Sequence, residues 1–163
     1  MRQPTNSAIQ EGRGKNAVAR LFMESLIVPK VFFDARWPAR GNVVDVLAVN
    51  RSGAGDLYIA EIALDYATAK QKVAKLHLMP AHFKYLALFN IDAFFSEEDP
   101  DPSLYAPDGL GRIGLISLYE GDPGSALRAE TEVEPERFRI GSDIFEAVDR
   151  FVKAHEPDIL VRA

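Results

Sequence analysis

The chain contains no cysteine, one tryptophan and three histidines among its 163 residues. The missing cysteine excludes disulfides, thiolate zinc centres and a cysteine nucleophile, and fits a reducing compartment, so the cytoplasm is the expected location. The scarce histidines stand badly for chemistry. His77 and His82 flank Pro80 and cannot form a metal pair on one helix face, and His155 falls near the end of a predicted helix. No Ser-His-Asp arrangement is legible. No apolar run approaches the roughly 18 residues of a bilayer span, and the opening MRQPTNSAIQEGRGK lacks a signal-peptide core. The glycines at 12 and 14 follow no strand, so they fail the context of a phosphate-binding loop.

What is present is ordinary for a soluble domain: 47% hydrophobic residues and 26% charged ones. One domain over residues 15–163 is expected, behind a flexible tail at 1–14. The net charge of −5 hides an asymmetry. Residues 13–84 hold 11 Lys and Arg against 6 Asp and Glu, whereas residues 85–163 hold 7 against 17. The first part is basic, as a phosphate-binding surface would be, although solvated charges placed without a patch give the same count.

Along the chain, residues 15 to 28 have helical periodicity, with Ala17, Val18, Leu21, Phe22 and Ser25 on one face and Glu24 on its flank. Pro29 ends that helix. KVFFDAR (30 to 36) reads as a strand and WPARGN as a turn. Two apolar runs joined by RSGAG then read as a hairpin over residues 42 to 64. Asp65 can cap a helix over 66 to 78 with the stripe Tyr66, Ala69, Val73 and Leu76. Lys70 lies beside that stripe, and Lys72 and Lys75 point more to solvent. KYLALFN (84 to 90) reads as a buried strand, making a βαβ crossover. Residues 96 to 111 form a long acidic loop. A strand at 113 to 119, an alternating edge strand at 126 to 133 and a helix from Ser142 or Asp143 to about His155 complete the chain.

The hairpin carries one acid in each arm. Pairing Asn50 with Asp56 places Asp45 opposite Glu61, and like charges so placed among aliphatics need a cation, a proton or a basic partner. A register slipped by one would instead free Asp45 to pair with Arg36 or Arg40 and turn Glu61 to solvent.

The order of helix, three-strand meander, helix and strand, with Asp45 on the second strand and Glu61-Ile62-Ala63 on the third, resembles the PD-(D/E)XK nuclease superfamily, also called restriction endonuclease-like. The later GRIGLISLYEGD is similar to that of bacterial DNA-repair-associated members. The resemblance implies an α/β fold with a central mixed sheet flanked by helices. It also implies a metal-dependent nuclease hydrolysing DNA phosphodiesters. The cofactor would be Mg (or Mn), held by Asp45, Glu61 and the Ile62 backbone carbonyl, with Glu24 as the helix acid acting through water. Ala63 departs from the pattern, because the superfamily's lysine belongs there. Some members carry that lysine on a neighbouring helix, which makes Lys70 the expected third catalytic residue beside Asp45 and Glu61. The alternative is a catalytically inactive nuclease-fold module that binds DNA or a protein partner, or pairs as a homodimer through its edge strand. No membrane partner is expected.

Overall fold

The computed structural model describes residues 5–26, 29–36, 43–50, 55–89 and 113–160. Its elements are α1 (Asn6–Ser25), β1 (Lys30–Arg36), β2 (Val43–Val49), β3 (Leu57–Ala63), α2 (Tyr66–Leu78), β4 (Phe83–Phe89), β5 (Gly114–Tyr119), β6 (Arg128–Val133), α3 (Ser142–Ala154) and the short β7 (Ile159–Leu160). The strands form one sheet in the order β6-β5-β4-β3-β2-β1-β7. The β3–β4 and β4–β5 pairs are parallel, and the others are antiparallel.

The result is an α/β fold with a mixed sheet between helical layers. One core packs Ala17, Val18, Ala19 and Phe22 of α1 against Val46, Ala60 and Ile62. The other packs Ala69, Val73 and Leu76 of α2 and Val148 of α3 against Leu47, Ile59 and Ala63. Covered on both faces, β4 is buried from Lys84 to Leu88, and a strand in that setting reads as one apolar run without alternation.

The hairpin register is the expected one. Val46 faces Ala60, Leu47 faces Ile59, and the Asn50 N–H donates to the Asp56 carbonyl at 3.0 Å. The crossover helix spans 66–78 as expected, with Asp65 accepting the Thr68 N–H at 2.7 Å, and β6 lies at the sheet edge.

The N-terminal expectation is corrected. Instead of a tail reaching residue 14, α1 begins at Asn6, where the Thr5 side chain accepts the Ala8 N–H at 3.1 Å. Tertiary contacts hold these polar turns. Arg13 pairs with Glu120 at 2.6 Å, Lys15 pairs with Asp34 at 2.7 Å, and Gly14 packs on the sheet. A Cβ on Gly14 would stand 2.9 Å from Cγ2 of Ile62. Gly141 caps α3 without a side-chain bond, and β7 was not anticipated. Trp37, Arg40 and the acidic loop at 96 to 111 lie outside the described residues.

Candidate active site

Asp45 and Glu61 meet where the β2–β3 ladder gives way. Beyond the Val46–Ala60 pair the carboxylates take over the backbone bonds: the Asp45 N–H donates to Oε2 of Glu61 at 3.1 Å, and the Ile62 N–H donates to Oδ2 of Asp45 at 2.8 Å. The neighbouring strand shares the irregularity. Asp34 of β1 has a left-handed φ of 49° and interrupts the β1–β2 register between Phe33–Val46 and Ala35–Val44. In consequence Phe32 and Ala35, and likewise Val44 and Leu47, reach the same core layer three positions apart rather than two. A non-glycine residue in this conformation carries strain of the kind that the surrounding structure must impose.

Glu61 is fully buried, and Asp45 retains 14% of its side-chain exposure. Two cations from α2 answer them. Lys72 places its ammonium 2.7 Å from Oδ2 of Asp45 and 3.5 Å from Oε2 of Glu61. Lys75 stands against Oε1 of Glu61 and donates to the Val43 carbonyl. Oε1 of Glu61 thus has the Lys75 ammonium as its partner, which counters the upward pull of burial on this carboxyl.

The charges shift one another. Burial, followed by the neighbouring Asp45, pushes the Glu61 carboxyl up to about 7. Burial also raises Asp45, but hydrogen bonds with Glu61, Ile62 and Lys72 outweigh it and hold that carboxyl below its ordinary range. Burial pulls Lys72 down, yet Glu61, Asp45 and then Glu11 together raise it. Two acids in one niche with opposite shifts, flanked by a retained ammonium, form a constellation typical of functional sites.

The expected positions divide. Asp45 and Glu61 are brought together, as the register required. Lys70 is not with them: it is exposed on α2, its ammonium 5.0 Å from the centre of the Tyr66 ring. The lysines at the acids are Lys72 and Lys75, which the periodicity had turned to solvent. For Lys72 part of the difference traces to Tyr66, which is 43% exposed and does not belong to the buried stripe, whereas Lys75 lies far from the stripe on either count and reaches Glu61 through its long side chain. With Tyr66 included, Lys70 and Lys72 lie equally far from the stripe's centre. With Ala69, Val73 and Leu76 alone, Lys72 comes to about 70° and Lys70 recedes to about 90° at 100° per residue.

Glu24 is also displaced. Gly14 abuts Ile62, and Phe22 lies 6.0 Å from Tyr58, so α1 runs back along β3 from its C-terminal end. Ten residues beyond Gly14, Glu24 is about 15 Å further down the helix, exposed at a cavity it shares with Arg20 and Arg128. The α1 acid whose charge reaches Lys72 is Glu11, at the opposite end. The sequence offered a signal for the lysines, since 72 and 75 are three apart on one helix face. It offered none for Glu11 once the helix had been started too late.

Among the histidines His82 does structural work. His82 accepts the Leu57 N–H through Nδ1 at 2.9 Å, and its carbonyl accepts the Phe138 N–H at 2.8 Å. Among the described residues no group of three His, Cys, Asp or Glu forms a metal cage. A magnesium site is not excluded by that, because this ion keeps most of its waters and needs one or two carboxylates. The carboxylates of Glu61 and the adjoining Asp45 supply hard oxygens. The Ile62 carbonyl lies on the same side of β3 as its N–H, toward Asp45, since both groups of a strand residue point one way. The donor set therefore fits such an ion.

Fold and site together define an α/β protein with a mixed sheet and a buried carboxylate–lysine cluster at the end of its central hairpin. No family model and no curated protein matches the chain. Among solved structures it is similar to the SPO1766 protein of unknown function from Silicibacter pomeroyi, with a TM-score of 0.54 and 18% identity over 88% of this chain and 82% of that one. At that identity the likeness shows the fold alone.

Proposed function

We propose that the chain is a metal-dependent nuclease of the restriction endonuclease-like type, hydrolysing DNA phosphodiesters at a divergent site of Asp45, Glu61 and Lys72. The observation that carries this reading is the Lys72 ammonium, 2.7 Å from Asp45 and 3.5 Å from Glu61, delivered by α2 to the acids that Ala63 leaves without a lysine on β3. Asp45, Glu61 and the Ile62 carbonyl would hold Mg or Mn. When bound, the ion supplies an activated water and neutralises phosphoryl charge. Lys72 adds a preorganised cation for the charge that develops on the phosphoryl oxygens, and its hydrogen bond to Asp45 fixes its direction. Glu11 biases Lys72 further toward the charged form.

One observation favours the inactive module that binds DNA or a protein partner. Both carboxylates already face an ammonium, so the cluster is charge-balanced without a metal. Incubation with plasmid and oligonucleotide DNA in Mg or Mn separates the readings. Lys72→Ala is expected to lower cleavage by about two orders of magnitude or more, the usual loss on removing one preorganised charge, while Lys70→Ala leaves it near wild type. Equal activity in both variants would remove Lys72 from the site.

A further inference from the structure

Resting on that reading, we infer that Lys75 is the resident cation of the metal position: its ammonium occupies the Glu61 Oε1 niche and leaves when a divalent metal enters. The argument begins with charge. In the ionised form that a metal ligand takes, Asp45 and Glu61 contribute two negative charges to a niche in which Glu61 has no exposure, and Lys72 and Lys75 contribute two positive ones. A dication added to this balanced set would leave two excess positive charges away from water, which burial does not tolerate. Release of one ammonium to solvent halves that excess, so entry of the dication favours the departure of one lysine.

The geometry selects Lys75. Lys72 is held by a hydrogen bond to Asp45 at 2.7 Å and touches both acids, with 18% of its side chain exposed. Lys75 is more open at 28%, touches Glu61 alone of the two acids, and also donates to the Val43 carbonyl. The oxygen it faces belongs to the fully buried Glu61 carboxylate, a hard donor of the kind a divalent cation needs. Val43 itself is exposed, so the path from Oε1 past the Val43 carbonyl leads outward. A four-carbon stem lets the ammonium follow that path without moving α2.

The test is Mn²⁺ binding to the full chain, followed by calorimetry and by the electron paramagnetic resonance of free Mn²⁺. Lys75→Met is expected to bind Mn²⁺ at least about tenfold more tightly than wild type at neutral pH, because one competing unit charge at contact distance has gone. Asp45→Asn is expected to lose binding. Should Lys75→Met fold poorly, the wild-type chain carries the test: on adding Mg²⁺, the Lys75 side-chain NMR signal should move to its solvent-exposed position while that of Lys72 stays. Wild-type binding that Asp45→Asn abolishes but Lys75→Met leaves unchanged or weakens, or a Lys75 signal indifferent to Mg²⁺, would overturn this inference and leave the nuclease reading standing. No Mn²⁺ binding by any form would overturn both.

Discussion

Lys84 shows how much a single residue can cost this fold. It is 5% exposed on β4, and its ammonium sits 4.5 Å from the centre of the Phe138 ring. Burial alone pulls its pKa down to about 8 from 10.5. The folded state therefore disfavours the charged form. Stability from this group is fully present above the unfolded value, declines as pH falls toward 8, and below that the cost is constant. The shift corresponds to roughly 3 kcal/mol, offset by about 1 kcal/mol from the ring. Lys84→Met is expected to raise stability at pH 7 by about 2 kcal/mol and to flatten the pH profile between about 8 and 10.5. Thermal denaturation across that range checks both. The same position marks a limit of sequence reading. A lysine opening an apolar run looks like the solvated start of a strand, and only the packing of 134–141 over β4 buries it.

At the scale of elements, the parts written by local pattern were legible and the parts written by tertiary contact were not. The hairpin register followed from residue count between two apolar runs, because the side-chain period of two leaves little freedom once one face is buried. The acid pair followed from the register. Helix α2 follows its local pattern to the residue, whereas the lysine it brings to the acids is Lys72 rather than the expected Lys70. The start of α1 was missed because Gly12 and Gly14 read as loop, whereas Gly14 is a packing residue. Its position predicts a reversal of the usual propensity. Gly14→Ala in a helix should gain about 1 kcal/mol, but here the added Cβ meets Ile62 Cγ2 at 2.9 Å and Leu118 Cδ1 at 3.2 Å. Net destabilisation of about 1–3 kcal/mol is expected from the overpacking. Urea denaturation measures it, and a stabilised variant would show that α1 can retreat from the sheet freely.

Over the whole molecule, the arrangement gathers its chemistry at the C-terminal end of β3. There the early turns of α1 carry Glu11, β1 and β2 break their alternation at Asp34 and Asp45, and α2 returns with Lys72 and Lys75. Glu11 of α1, Asp45 of β2, Glu61 of β3 and the two lysines of α2, distant in sequence, thereby act on one niche, which is why composition alone could report only a basic segment. The balanced carboxylate–lysine cluster is compatible with a nuclease and equally with a module that has given up hydrolysis. What divides these is whether Asp45 and Glu61 work on phosphodiesters through a metal. The direct measurement is cleavage of supercoiled plasmid by the purified chain in Mn²⁺, Mg²⁺ or excess chelator, beside the Asp45→Asn/Glu61→Gln double variant. Nicking by the wild type that disappears with chelator and in the double variant is the predicted result. Absence of metal-dependent nicking, or nicking undiminished in the double variant, would contradict it.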